Sequence, residues 1–186
     1  MALFVISGVP AAGKTTVGRL LAGRLDHALF VPGDTIRSMV VGDRTRSLDA
    51  VEAQFRQLLL RYEGTLALAA VYLGAGFHVI VEDVIIGPVL RDFLALSPVR
   101  ELHLVFLDPD PTVVADRDRK RAKTAYADGR WNVDELRGLL RGHTSKLGLW
   151  LDSTELSADQ TVDRILSDLD ASLVRLDRGW RAIRGR

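Results

Sequence analysis

The chain contains no cysteine. Neither a disulfide framework nor thiol chemistry is open to it, and a reducing, cytoplasmic setting is the expectation. No apolar run approaches the roughly 18 residues that a membrane helix needs, although 47% of the residues are hydrophobic. Charge of one sign is also missing: 25 basic residues stand against 24 acidic ones, a net of +1. That balance supplies no global pull toward nucleic acid or a membrane surface. Internal repeats, low-complexity tracts and linkers are absent, and the apolar start lacks the basic flank of a secretory leader. For 186 residues, 26% of them charged, the expectation is one globular domain over residues 1–186 with a full core.

What is present starts with a strand-like run, Ala2-Leu3-Phe4-Val5-Ile6-Ser7, that leads into Gly8-Val9-Pro10-Ala11-Ala12-Gly13-Lys14-Thr15-Thr16. This is G-x-x-x-x-G-K-[ST], the phosphate-cradling P-loop, in its meaningful setting of strand before and helix pattern after. The loop opens a helix whose free N–H groups and positive dipole end face the anion. Gly8, Pro10, Ala11, Ala12, Gly13, Lys14, Thr15 and Thr16 are therefore the expected nucleotide-binding residues. Lys14 adds a mobile charge for the β/γ-phosphates, and the Thr15 hydroxyl is a ligand for Mg²⁺.

Strands and helices then alternate. Ala28–Pro32 reads as a second strand, Phe77–Val81 as a third, Leu102–Leu107 as a fourth and Leu147–Leu151 as a fifth. A helix starts at Asp34, with that residue in a cap-like position. Gly42 to Ser47 reads as a polar loop. A long helix follows, with Val51, Phe55, Leu58, Leu59, Tyr62, Leu66, Ala69, Ala70 and Leu73 on one face. Charged helical segments cover about 110–123 and 133–141, and a helix of about 158–184 carries a stripe ending in Trp180 and Ile183. That stripe packs on the body or, alternatively, forms a homodimer contact. The alternation implies an α/β/α fold with a parallel, doubly wound sheet.

Ligands of such sheets bind at the carboxyl ends of the strands. Asp83 ends the third strand as the metal-associated acid, with Glu82, pointing to the other side, as second choice. Asp34 follows the second strand, facing the same cleft, where a carboxylate can orient an attacking hydroxyl and accept its proton. Arg37 shares a helix face with it and can hold an acceptor. Arg117 and Arg121 share a face in a basic segment of about 115–132 that reads as a lid. Arginines there neutralise charge on the transferred phosphoryl group and exclude water, with Arg117 favoured and Arg119 facing elsewhere. Tyr126, Arg130 and Trp131 are further lid or substrate contacts. Asp152-Ser153-Thr154 borders the base of the nucleotide or is simply a turn. The four histidines have no metal spacing.

Gly8 to Thr15, Gly33-Asp34 and Gly76-Phe77-His78-Val79-Ile80-Val81-Glu82-Asp83-Val84-Ile85-Ile86-Gly87 together resemble the chloramphenicol phosphotransferase-like P-loop kinases. The resemblance implies a nucleoside-monophosphate-kinase-like fold with strand order 2-3-1-4-5. It also implies ATP and Mg²⁺ as cofactors and phosphorylation of a hydroxyl on a small molecule, an antibiotic among the options. By residue it implies a base role for Asp34, phosphate binding for Lys14, and Mg²⁺ coordination by Thr15 with support from Asp83. The Asp34-x-x-Arg37 pairing departs from that family and is similar instead to polynucleotide 5′-hydroxyl kinases, zeta-type sugar-nucleotide kinases and adenylylsulfate kinases. A polynucleotide or sugar-nucleotide kinase and a regulatory NTP-binding switch therefore stand as alternatives. The near-neutral charge argues against a nucleic-acid channel.

Overall fold

In a computed structural model, residues 1–41, 50–120, 126 and 132–177 are described. The loop expected at Gly42–Ser47, and Arg121, Arg130 and Trp131, lie outside them. The elements are β1 (Leu3–Gly8), α1 (Lys14–Gly23), β2 (Ala28–Pro32), α2 (Gly33–Ser38), α3 (Ala50–Gly74), β3 (His78–Glu82) and α4 (Val89–Ala95). They continue with β4 (Glu101–Leu107), α5 (Pro111–Arg119), α6 (Val133–His143), β5 (Leu149–Leu151), α7 (Ala158–Ser167), α8 (Leu169–Ser172) and β6 (Leu173–Arg175).

The sheet runs β2-β3-β1-β4-β5, all parallel, with helices on both faces, as expected. β1 is central and every residue of it is buried, which is why it reads as a continuous apolar and β-branched run rather than an alternating one. Ser7 tolerates that burial because its hydroxyl exchanges hydrogen bonds with the backbone of Ile85, donating to the carbonyl at 2.9 Å and accepting from the amide at 3.0 Å.

The carboxyl end of the chain corrects the expected helix of 158–184. α7 stops at Ser167, a four-residue turn follows, and Leu173–Arg175 then adds a sixth, antiparallel strand to the amino-terminal half of β4. β5 occupies the same flank of β4 further along. The first part of the stripe, Val162 and Ile165, is fully buried, and α7 packs against α1. Trp180 and Ile183 lie outside the described residues. The face expected for α3 is also narrower than its pattern: Tyr62, Leu66 and Ala69 are buried, while Phe55 and Ala70 are exposed. Among the described residues no helix is long and apolar enough to cross a membrane.

Candidate active site

The carboxyl ends of β1, β2 and β3 converge on one cleft, and four charged groups meet there. The loop between β1 and α1 is a tight cradle. Gly8 and Gly13 take φ of 143° and 102°, and a side-chain carbon on Gly8 would collide with the Leu107 carbonyl. Ala11 also sits at φ 62°, a left-handed conformation that costs an alanine energy and is typical of binding loops. The Lys14 side chain is buried and donates to the Val9 carbonyl at 2.9 Å, folding back over its own loop.

Thr15 is the first correction at the site. Its hydroxyl donates to Glu82 Oε1 at 3.0 Å; the acid expected beside it was Asp83. Asp83 instead faces α3, where Arg61 Nε lies 2.9 Å from Oδ2 and Arg61 Nη2 donates to Oδ1 at 3.0 Å. The two acids do point to opposite sides, as period-two geometry requires, but with the sides exchanged. Burial pushes the Glu82 carboxyl above the ordinary range, with Lys14 and the Thr15 hydroxyl pulling it back and Asp83 and Asp34 pushing it up. Burial likewise raises Asp83 against the pull of Arg61.

Asp34 is a second correction of local structure. α2 is capped by Pro32, and Asp34 lies inside its first turn rather than at the cap. Its side chain is exposed and its charge reaches both Glu82 and Asp83. An acid near a helix start is favoured by the backbone dipole, yet this one makes no hydrogen bond to the backbone there. Arg37, one turn on, is exposed too.

Arg117, on α5, reaches the cradle. Its Nη1 donates to the Ala12 carbonyl at 3.3 Å and its Nη2 approaches the Ser153 carbonyl at 3.5 Å. Arg119 pairs with Asp116 on the outer face. Tyr126 donates to the Pro10 carbonyl at 3.1 Å, so this residue touches the loop. Two features escape sequence reasoning. Arg61 carries no motif signal. Asp108, at the end of β4, is buried and held by Arg137 at 3.1 Å and Arg141 at 2.6 Å, which fastens α6 to the sheet.

Among the described residues no group of three or more His, Asp or Glu could hold a metal alone. Thr15 and Glu82 supply two hard oxygens side by side. That suits Mg²⁺, which takes one or two protein oxygens and completes its shell from phosphates and water.

A family model described as an AAA domain matches residues 3–143. Among solved structures, the chain is similar to a sugar kinase from a Janibacter species, at 22% identity and TM-score 0.62, covering 92% of this chain and 96% of that one. It is similar to the shikimate kinase of Bacteroides thetaiotaomicron, at 18% identity and TM-score 0.56, covering 91% and 98%. It is also similar to the tunicamycin resistance protein of Deinococcus radiodurans, at 18% and 0.56, covering 93% and 98%. These likenesses concern the fold. No curated protein matches the chain.

Proposed function

The chain belongs to the AAA-domain family, and from that premise we propose that it is an ATP- and Mg²⁺-dependent phosphotransferase acting on a hydroxyl of a small molecule. One observation carries the reading. Asp34, an exposed carboxylate at the start of α2, follows β2 as Lys14 follows β1, and both act electrostatically on Glu82 and Asp83 at the end of β3. A nucleotide switch needs a cradle and a metal acid; it has no use for a second carboxylate aimed at an acceptor.

The roles follow from chemistry. The backbone of Gly8–Thr16 and the Lys14 ammonium hold the β- and γ-phosphates. Thr15 and Glu82 would hold Mg²⁺, which supplies charge neutralisation on the phosphates when bound. Glu82 takes the place first expected of Asp83. Asp34 orients the acceptor hydroxyl and takes its proton as the oxygen bonds to the γ-phosphorus; the bond to the bridging oxygen breaks and ADP carries that electron pair away. Arg117, already on the cradle, neutralises charge on the transferred group, and Arg37 contacts the acceptor. Arg121, in the lid segment, is a second arginine of the same kind. Such catalysis is positioning and electrostatics, because the protein supplies little covalent chemistry.

Acceptors implied by the resemblance and by the pairing of Asp34 with Arg37 range over antibiotics, nucleosides and sugars. The test is an ATP-consumption screen across aminoglycoside, nucleoside, peptide and phenicol antibiotics, simple sugars and a 5′-hydroxyl oligonucleotide, with mass detection of one added HPO₃. With the acceptor in hand, Asp34→Asn should keep ATP affinity and lower turnover by about 10²–10⁴-fold, the usual size of a general-base contribution. Full turnover in that variant removes Asp34 as the base. Labelling of the oligonucleotide alone would move the protein to the polynucleotide kinases.

A further inference from the structure

Asp34 rides on a helix of only six residues. So short a helix has little stability of its own, and its entry must be fixed by what surrounds it. Gly33, buried at the first position, lies so close to Asp83 that a side-chain carbon on it would collide with that carboxylate. Asp83 is in turn hydrogen-bonded through Oδ1, while Oδ2 meets Arg61 Nε as a close ionic contact without hydrogen-bond geometry. Oδ1 accepts from Val84 N at 2.7 Å and from Arg61 Nη2 at 3.0 Å, and Arg61 Nε lies 2.9 Å from Oδ2. Asp83 is buried and Arg61 largely so, with side chains 8% and 15% exposed. Next to Arg61, Tyr62 is buried in the core, donates to the Val84 carbonyl at 3.1 Å and meets Phe93 edge to face at 5.2 Å. A continuous path therefore runs from the core through α3 and the end of β3 to the backbone that carries Asp34.

A buried ion pair contributes little net stability against apolar side chains of the same size, because both ions lose their water. What it does supply is direction: a planar guanidinium held beside a carboxylate restrains both, here by one hydrogen bond at Oδ1 and a close ionic approach at Oδ2. We propose that Arg61 and Asp83 are positioning residues, a strut that sets where α2 begins and thereby aims Asp34. The catalytic consequence rests on the base role proposed above for Asp34; the strut itself does not.

The experiment uses the full chain and two readouts. Amide hydrogen exchange of α2 is compared with that of α7, which lies away from the pair, and phosphate release from ATP·Mg²⁺ is measured with water as the probe acceptor. Asp83→Asn should speed exchange in α2 by about 10-fold or more while α7 stays protected, as for a local opening. Gly33→Ala, which pushes the strut from the other side, should do the same. Because Asp83→Asn leaves a buried arginine unpaired, Arg61→Met combined with Asp83→Leu is the control for folding. It should melt near the wild-type temperature and still show fast α2 exchange. In these variants phosphate release should fall by about 10–100-fold, the scale of a misplaced catalytic group, with KM for ATP little changed. The proposal is overturned if the double variant folds and its α2 amides exchange as slowly as in the wild type. Wild-type phosphate release by Asp34→Asn would be the separate sign that the base role has failed, and the strut would then be judged on exchange alone.

Discussion

Glu82 is a carboxylate that the fold ionises at a cost. It is 6% exposed, and burial dominates the upward push on its pKa. The folded protein therefore favours its neutral form: the group's contribution to stability is present in acid and is lost as pH rises through the raised value. Once ionised, the group carries that cost, which a bound divalent cation would relieve. Glu82→Gln keeps an oxygen for the Thr15 hydroxyl and removes the charge. It should leave the nucleotide-free melting temperature equal to or above the wild type's, while lowering Mg²⁺-dependent phosphoryl transfer by about 10²-fold, as read by calorimetry and turnover. At limiting Mg²⁺ the acid limb of kcat/KM should lie above the ordinary carboxylate range, because the metal-free Glu82, whose pKa burial raises, must ionise to take the metal. Arg117→Ala should cost about 10²–10³-fold in turnover. The P-loop residues were legible in the sequence because phosphate chemistry demands fixed residue types at fixed spacing. Which of Glu82 and Asp83 faces the loop was not. Alternation says that neighbours on a strand diverge, and only the position of Arg61, 22 residues earlier in the chain, decides which acid goes where.

At the scale of elements, the strands and the main helices could be placed from periodicity, since a buried parallel strand and an amphipathic helix have different signatures. The carboxyl end shows where that signal is ambiguous. Leu169, Leu173 and Leu176 continue the spacing of Val162 and Ile165, yet the chain leaves the helix at Asp168 and alternates instead, with Val174 buried and Arg175 exposed beside Glu101. A pattern of three and four is satisfied by one helix or by a helix, a turn and a strand, and here pairing with β4 decides. The account gives α7 a packing role only, so Ile165→Ala should destabilise by about 2–5 kcal/mol in urea unfolding without changing turnover per folded molecule. α6 is held differently. Removing Asp108 leaves Arg137 and Arg141 without their carboxylate, and Asp108→Ala should cost about 2–3 kcal/mol, less than a fully buried pair because Arg141 is 53% exposed.

Taken as a whole molecule, the chain assembles its site from segments far apart in sequence: the loop after β1, the start of α2, the end of β3, one arginine of α3 and one of α5. Alternating strands and helices implied a parallel sheet with ligands at its carboxyl edge, so the location of the cleft could be anticipated from the sequence, whereas the supports beneath it could not. Ion pairs such as Arg61 with Asp83, or Asp108 with α6, join residues whose separation follows no motif. Binding at this cleft should stabilise the entire domain, by about 2.7 kcal/mol at a ligand concentration 100 times its Kd. The most direct test of the central claim is a crystal structure with Mg²⁺ and a non-hydrolysable ATP analogue. The account predicts the phosphates in the turn from Gly8 to Thr15, with Glu82 on the metal side and the Asp34 carboxylate facing the terminal phosphoryl group. An empty turn, or an Asp34 side chain directed away from that group, would contradict it.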